Sequence, residues 1–271
     1  MMPSERMFQM RPSSRQLRSF SGLRQVVATL RAPNGCPWDR VQTHDTLRPY
    51  LLEEGAEALE AIAAGDPAQL CEELGDLLLQ ILLHSQIAEE QGDFTFKDVV
   101  YSTAHKLVRR HPHVFGDAVA ATPAAVIRQW HDLKASERGE QPALAGIPST
   151  LPALAYAQAQ QRRAARAGFA FETEDQMWGA LEEELAELRT AQTARERLEE
   201  LGDALFALAN VGRWYEADAE GALAGTCRGF ARTFQCLEAR AQERNMDLRS
   251  VTLADKLALW EEARAREKSE Q

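Results

Sequence analysis

Two acidic phrases on either side of a short turn constrain the fold more than any other part of the chain. LLEEGAEALEAI carries Glu54 and Glu57 three residues apart, and CEELGDLLLQILL carries Glu73 and Asp76 at the same spacing. Residues three apart lie on one face of an α-helix. Residues 64–67 bring a Gly and a Pro together, which ends one helix and begins another. The stretch therefore predicts an antiparallel helix pair on which four carboxylates converge.

Carboxylates in this position need a cationic partner. Asp76 is followed at once by LLLQILL, which is typical of a helix buried on most of its faces. A charge at such a boundary is costly unless it is paired or binds a metal. A solvated acidic helix face is the alternative, and it is the usual interpretation of an isolated EExxE pattern. The acids lack the Glu-x-x-His of di-iron bundles, and ligands that are all oxygen favour Mg²⁺ or Mn²⁺.

The same succession of two acidic phrases and an apolar run occurs a second time in the chain. LEEELAEL and then LEELGDALFALANVG align with the two phrases of the first copy. The alignment gives the second copy four matching acids: Glu184, Glu187, Glu200 and Asp203. Because duplication of the whole arrangement is not expected of an ordinary acidic surface, it supports a functional site and predicts two helical bundles in tandem.

Apolar periodicity and turn residues define the rest of the organisation. Apolar residues recur at helical spacing, and no alternating pattern of strand type occurs. The sequence predicts an all-α protein whose first helix runs from Arg15 to the turn APNG. The predicted segments are a disordered tail at 1–14, a helical domain at 15–137, a linker at 138–155 and a second helical domain at 156–271.

Composition argues against several classes of function. The chain has 41 Asp and Glu against 31 Lys and Arg, a net charge of −10, which disfavours duplex nucleic acid or anionic lipid as the main partner. No stretch has the length and apolarity of a membrane span, and no signal segment opens the chain. The four cysteines show no CxxC spacing. We expect a soluble, cytoplasmic protein without structural zinc or disulfides.

Basic and aromatic residues complete the candidate site. Lys106, Arg109 and Arg110 have helical spacing, and guanidinium groups bind phosphate oxygens bidentately. A solvated basic helix end is the alternative. Trp38 in the loop CPWD is either a core residue or a surface on which a base stacks. We interpret His84, within the apolar run, as a packing residue rather than a metal ligand. Neither a P-loop nor a Rossmann glycine motif occurs.

Four phrases together resemble the MazG nucleoside triphosphate pyrophosphohydrolases of the all-α NTP pyrophosphatase superfamily. They are GCPWDRVQTHDTL, LLEEGAEALEAI, EELGDLLLQILLHSQIA and HKLVRRHPHVFGD. The resemblance extends from about Ser14 to the end of the chain. It implies a homodimer that hydrolyses a nucleoside triphosphate to the monophosphate and pyrophosphate with Mg²⁺, for which Mn²⁺ can substitute. It also implies a role in clearing non-canonical or surplus nucleotides.

The resemblance assigns roles to individual residues. The family's metal carboxylates match eight positions: Glu54, Glu57, Glu73, Asp76, Glu184, Glu187, Glu200 and Asp203. Glu53 and Glu183 match the leading glutamate, which would orient or deprotonate the attacking water. The expected catalytic residues of the first copy are therefore Glu53, Glu54 and Glu57.

The two copies differ in their basic residues. The second copy has Gly179-Ala180 where the family usually has a Lys before its EExxE phrase. In its third helix it keeps Arg232, but Cys227 and Gly229 replace an Asn and a Lys. We therefore predict that the first copy is the better site. The alternative function is a non-catalytic regulatory or scaffold dimer with a partly decayed C-terminal site.

Overall fold

The computed structural model describes residues 12–138 and 141–270, and every regular element in these ranges is a helix. The predicted all-α class is therefore confirmed for the described residues. The chain divides into two compact units, Met1–Gly139 and Glu140–Gln271. Most of the tail predicted to be disordered lies outside the described residues. None of the described helices has both the length and the apolar character that crossing a membrane requires.

The N-terminal unit is built around one pair of long helices. Its described helices are α1 Ser14–Leu17, α2 Phe20–Arg31, α3 Pro37–Arg40, α4 His44–Ala64, α5 Pro67–Gln91, α6 Phe96–Arg110, α7 Pro112–Phe115 and α8 Pro123–Arg138. The predicted turn between α4 and α5 is confirmed. Gly65 ends α4 in the left-handed region at φ 67°, which glycine adopts without strain. Asp66 caps α5, and Pro67 is its first residue.

The first predicted helix is interrupted, so the expectation of one helix from Arg15 to the APNG turn is wrong. α1 ends at Leu17, and α2 begins at Phe20. The Ser19 hydroxyl accepts the backbone N–H of Gly22 at 3.1 Å and caps α2. A serine oxygen that bonds a nearby backbone N–H favours a helix start over continuation. A prediction from apolar periodicity alone cannot detect a side-chain hydroxyl that competes with helix continuation.

An apolar cluster holds the long pair against α2. Its buried members are Val27 of α2, Leu47 of α4, and Leu82, Leu83 and Ile87 of α5, each no more than 3% exposed. Burying an aliphatic side chain of this kind contributes about 1.5–3 kcal/mol. The cluster therefore fixes the relative position of the three helices, and with it the position of the acids on α4 and α5.

Arg31 attaches the loop after α2 to the end of α5. Its side chain is 5% exposed and pairs with Glu90 at 2.7 Å. The same guanidinium donates to the backbone oxygens of Asp39 and Gln42, and the Gln42 side-chain amide donates to the backbone oxygen of Trp38 at 3.0 Å. The CPWD segment, which the sequence analysis treats as a loop, includes the start of α3. These bonds hold α3 in a defined position.

The C-terminal unit repeats the central pair. Its described helices are α9 Ala153–Arg166, α10 Glu174–Thr190, α11 Ala194–Trp214, α12 Ala219–Glu243 and α13 Leu253–Glu270. α10 and α11 pack along each other as α4 and α5 do, while α9 packs on α11 and α12. The sequence did not predict α9, which begins inside the segment interpreted as a linker. Two of its three buried residues are Gln158 and Gln161, so its apolar stripe is weak.

Candidate functional site

Three glutamates converge between the long helices of the N-terminal unit. Glu54 and Glu57 of α4 and Glu73 of α5 each bring one carboxylate oxygen within 4.8 Å of the others. The three-residue spacing places the first two on one face of α4, and the short turn after Gly65 brings α5 alongside. Glu73 is 9% exposed, and Glu57 lies open to solvent. The acids therefore form a cleft that an ion can enter from solvent.

The electrostatics of this cluster favour a cation. Burial is the largest cause that raises the pKa of Glu54, Glu57 and Glu73, and neighbouring carboxylates raise these pKa values further. A raised carboxyl pKa means that the charged form is disfavoured where it stands. Convergent carboxylate oxygens that lack a compensating charge match the ligand preference of Mg²⁺ and Mn²⁺. The residues present therefore fit a hard divalent ion.

Two further predicted residues border the cluster. Asp76 is half-buried on α5, and of the neighbouring charges it raises the pKa of Glu54 most. Glu53 is exposed on α4 and raises the pKa of both Glu54 and Glu57. Neither belongs to the group of three oxygens that lie within 4.8 Å of one another. Both lie close enough to act on that group electrostatically.

The C-terminal unit reproduces the arrangement. Glu184 and Glu187 of α10 and Glu200 of α11 bring their oxygens within 4.8 Å of one another. The pKa values of Glu184 and Glu200 are raised, chiefly by burial, and the neighbouring Glu187 carboxylate contributes to the shift at both groups. Asp203 raises the pKa of Glu184, as Asp76 does for its counterpart. The predicted acids of the second copy are therefore also brought together.

The predicted basic residues have a different local role. Arg109 pairs with Glu137 of α8 at 2.6 Å, and Arg110 makes a closer pair with the same carboxylate. Arg110 is 13% exposed, and its guanidinium lies 5.2 Å from the centre of the Trp130 ring. These contacts fasten the end of α6 to α8, while Lys106 is exposed on α6. The phosphate-binding role of the three residues stays a prediction.

Trp38 lies on the surface. Its side chain is 51% exposed, and its ring meets the edge of Tyr50 with centroids 6.0 Å apart. Of the two interpretations of this residue, the core position is wrong. Trp38 belongs to α3, which Arg31 holds in place, and its exposed ring is accessible for stacking on a base.

Sequence reasoning missed a cavity of about 650 Å³ beside the second acid cluster. Its wall includes Glu184, Asp203, Phe169, Phe171, Asn210 and Arg213. The Nε of Arg213 donates to Oδ1 of Asn210 at 2.6 Å, and burial lowers the pKa of Arg213. An apolar wall with a few polar groups is the usual composition of a small-molecule site. The wall comes from α9, the loop before α10, and both long helices, so no sequence spacing reveals it.

Comparisons with known proteins decide the family. The model described as the MazG nucleotide pyrophosphohydrolase domain matches residues 42–115. The "Nucleoside triphosphate pyrophosphohydrolase/pyrophosphatase MazG" of Thermotoga maritima is 40% identical over 247 residues, which are 90% of this chain and 95% of that protein. This chain belongs to the MazG family. The MazG match at 42–115 contains the whole N-terminal acid cluster, and the resemblance drawn from the sequence motifs is confirmed.

Two other relatives are similar to about nine tenths of this chain. The "Nucleoside triphosphate pyrophosphohydrolase" of Escherichia coli K12 is 39% identical over 251 residues, which are 89% of this chain and 95% of that protein. The "Uncharacterized protein YabN" of Bacillus subtilis is 42% identical over 255 residues, which are 92% of this chain and 52% of that protein. Similarity to MazG therefore extends across both units of the chain.

Proposed function

We propose that this chain hydrolyses nucleoside triphosphates between the α and β phosphates and releases the monophosphate and pyrophosphate. Membership in the MazG family supports the reaction class, which the names of the Thermotoga and Escherichia relatives state for those proteins. The convergence of Glu54, Glu57 and Glu73 between two helices carries the proposal. Because the donors are all carboxylate oxygens, Mg²⁺ is the proposed ion, and Mn²⁺ can replace it.

The chain's own residues hold the ion and direct the water. Glu54, Glu57 and Glu73 hold the ion, with Asp76 as the fourth carboxylate. A bound Mg²⁺ supplies charge neutralisation of the phosphates and a lower pKa for coordinated water. Glu53, which directly precedes Glu54 on α4, orients or deprotonates the attacking water. Since water attacks phosphorus directly, no protein nucleophile is needed.

Either of the two acid clusters could be the catalytic site, since each brings three glutamates together. We assign hydrolysis to the N-terminal cluster, because that unit keeps Lys106 and Arg109 while the C-terminal unit has lost most of its basic residues. The second candidate function is nucleotide binding in the C-terminal cavity. The cavity itself favours it, since Arg213 and the acids Glu184 and Asp203 lie in one wall.

Matched substitutions of the metal ligands test this assignment. We expect Glu57→Ala to lower turnover of dGTP and dUTP by at least about 100-fold, because loss of a ligand exceeds the 10–100-fold typical of outer-shell partners. Glu187→Ala is the control and is expected to keep activity. Monophosphate and pyrophosphate are measured with Mg²⁺ and then with EDTA.

Three results would contradict the assignment. Activity lost only in Glu187→Ala would move catalysis to the C-terminal unit. Full activity in both variants would remove the acid clusters from the mechanism. No monophosphate from the wild-type chain with any of a panel of triphosphates would favour the regulatory or scaffold alternative.

We also propose that the protein is a homodimer. Large apolar side chains remain exposed on the central pair of the N-terminal unit, including Leu52, Leu59, Ile62 and Leu74, each more than half exposed. An apolar helix surface of this kind is usually covered by another helical surface. Light scattering after size exclusion should give twice the chain mass of 30.2 kDa, and a monomer would contradict the proposal.

A cytoplasmic location is part of the same proposal. The four cysteines, all within the described ranges, are free, which suits a reducing compartment. The expected partners are nucleoside triphosphates and a second copy of the chain, with neither nucleic acid nor membrane among them, because the net charge is −10.

A further inference from the structure

Two buried glutamines of α9 differ in how their hydrogen bonds are satisfied. Gln158 is 1% exposed, and its side-chain amide donates to the backbone oxygens of Ala209 and Ala217 at 3.2 and 2.9 Å. Its Oε1 accepts the backbone N–H of Ala219 at 3.2 Å. Gln158 therefore makes its hydrogen bonds within the protein, and these bonds fasten α9 to its neighbours.

Gln161, three residues further along α9, has an amide oxygen that lacks a partner. The residue is 7% exposed, and its Nε2 donates to the backbone oxygen of Phe206 on α11 at 2.7 Å. This bond identifies the nitrogen end of the amide, so the other end is an acceptor. Oε1 is buried and has no hydrogen-bond partner among the described residues. Because a buried carbonyl oxygen without a partner is unfavourable, the atom calls for an explanation.

The cavity beside the second acid cluster offers that explanation. Gln161 belongs to its wall, together with the aromatic rings of Phe169, Phe171 and Phe206. Phe169 is 84% exposed and Phe206 is 45% exposed, so flat apolar faces are available to a heterocyclic ring. The cavity volume of about 650 Å³ lies within the usual range of small-molecule sites. A flat ring that carries an N–H group would therefore suit this wall.

Hydrogen-bond donors lie on the opposite helix of the same wall. Nε of Arg213 donates to Oδ1 of Asn210 at 2.6 Å, so the Asn210 amide offers its N–H groups to a ligand. The wall thus combines an open acceptor on α9 with amide and guanidinium donors on α11. A base with a ring N–H beside a carbonyl group, which we call a lactam base, complements this set. Uracil, thymine, guanine and hypoxanthine are lactam bases, whereas adenine and cytosine have an unprotonated ring nitrogen at that position.

We propose that Gln161 selects the ligand of the C-terminal cavity, a nucleotide with a lactam base. Its Oε1 accepts the ring N–H of the base, and Asn210 or Arg213 donates to the adjacent carbonyl. Gln161 is then a specificity-determining residue, because a base without that N–H leaves a buried acceptor unpaired. The inference rests on the second candidate function, nucleotide binding in this cavity.

The acids of the same wall account for the other end of such a ligand. Glu184 and Asp203 line the cavity, and Glu184 belongs to the group of three glutamates whose oxygens lie within 4.8 Å of one another. Carboxylates that hold a divalent ion bring the phosphates of a nucleotide near them. The phosphates and the base therefore meet different parts of one wall.

Binding of non-hydrolysable triphosphates tests the inference without turnover. The full-length parent carries Glu57→Gln and Glu73→Gln, so that binding with Mg²⁺ reports on the C-terminal unit. Isothermal titration compares the α,β-imido analogues of dUTP and dCTP, which have opposite hydrogen-bonding groups at the ring nitrogen. We expect the dUTP analogue to bind at least about tenfold more tightly, because a site built for an N–H group rejects a ligand that lacks it.

Gln161→Met tests the acceptor itself. Methionine keeps the length and flexibility of the side chain without its polar atoms, so affinity for the dUTP analogue should fall by about tenfold. The preference over the dCTP analogue should disappear. Gln158→Met is the matched control on the same helix, since it removes hydrogen bonds made within the protein. It should lower the melting temperature and keep the preference.

A measurement on the ligand side keeps the test valid if Gln161→Met does not fold. Methylation at N3 of the dUTP analogue removes the ring N–H, and the parent should then bind at least about tenfold more weakly. The thymidine analogue is the control, because it carries a methyl group on a ring carbon and keeps the N–H. It should bind as tightly as the dUTP analogue.

The possible failures can be told apart. A parent that binds neither triphosphate analogue would refute nucleotide binding in the cavity, and with it the role of Gln161. Equal binding of the dUTP and dCTP analogues would refute the selectivity, while nucleotide binding would stand. A Gln161→Met variant that keeps the full preference would assign Gln161 to helix packing alone.

Discussion

The two units have the same arrangement of three glutamates, but the side chains that lie further along the second long helix differ. On α5, Gln80 and the buried Leu83 lie seven and ten residues after Glu73. On α11, Ala207 and Asn210 lie at the same distances after Glu200. A cavity of about 650 Å³ lies at those two C-terminal residues. The acid motif therefore does not determine the shape of the space beside it. The residues seven and ten positions after Glu73 or Glu200 contribute to this difference.

Filling the C-terminal cavity tests whether that unit holds a nucleotide. Ala207→Leu adds three carbons to its wall, and we expect binding of a non-hydrolysable triphosphate to weaken by about 10–100-fold, or roughly 1.4–2.7 kcal/mol. Isothermal titration of the Glu57→Ala background measures it. Ala194→Leu, at the exposed first turn of α11, is the control. Equal binding by both variants would mean that the cavity does not hold the nucleotide.

A second experiment compares substitutions of Arg110 and Arg109. Arg110 packs between Glu137 and the Trp130 ring in the N-terminal unit. Arg110→Met removes the pair with Glu137 and the contact with Trp130. We expect a loss of about 1–2 kcal/mol in the free energy of unfolding, read from urea denaturation, with KM for the triphosphate unchanged. Arg109→Met, whose side chain is half exposed, should cost less. A raised KM in a fully stable Arg110 variant would instead support phosphate binding.

The smallest expected effect is a pH dependence of the stability of the folded protein, to which both units contribute. Each has one glutamate between two arginines: Glu137 with Arg109 and Arg110, and Glu262 with Arg240 and Arg244. The arginines lower the pKa of both carboxyl groups. Because the folded-state pKa lies below the unfolded value of 4.5, each pair stabilises the protein above pH 4.5, and this stabilisation is lost as the pH falls through the folded-state pKa.

Melting temperatures of two variants measure this effect. Glu137→Gln should lower the melting temperature at pH 7 more than Glu262→Gln does, because the side chain of Glu137 is 21% exposed and that of Glu262 is 42% exposed. Solvent weakens the more exposed pair. Both differences from wild type should shrink as the pH falls below 4.5. A difference that stays constant with pH would show that these side chains act through packing.

The sequence predicted those features that depend on local pattern. Helical periodicity, the turn at Gly65 and the convergence of Glu54, Glu57 and Glu73 all follow from spacings along one or two helices. The break at Ser19 was missed because one hydroxyl competes with the helix there without disturbing the apolar pattern. α9 was missed because two of its three buried residues are glutamines.

Contacts between distant segments could not be predicted from one sequence. Arg110 and Glu137 are 27 residues apart, and nothing in their separate helices identifies them as partners. The wall of the C-terminal cavity includes residues of α9, α10, α11 and the loop before α10. In each case the partner is set by how the helices pack, which periodicity does not specify.

The exposure of Trp38 provides a spectroscopic signal. It is the most exposed of the five tryptophans, so a small neutral quencher such as acrylamide reaches its ring most readily. A base stacked on that ring would block the quencher from one face. Reduced quenching of intrinsic fluorescence on adding a triphosphate would therefore report occupancy of the N-terminal unit without a label.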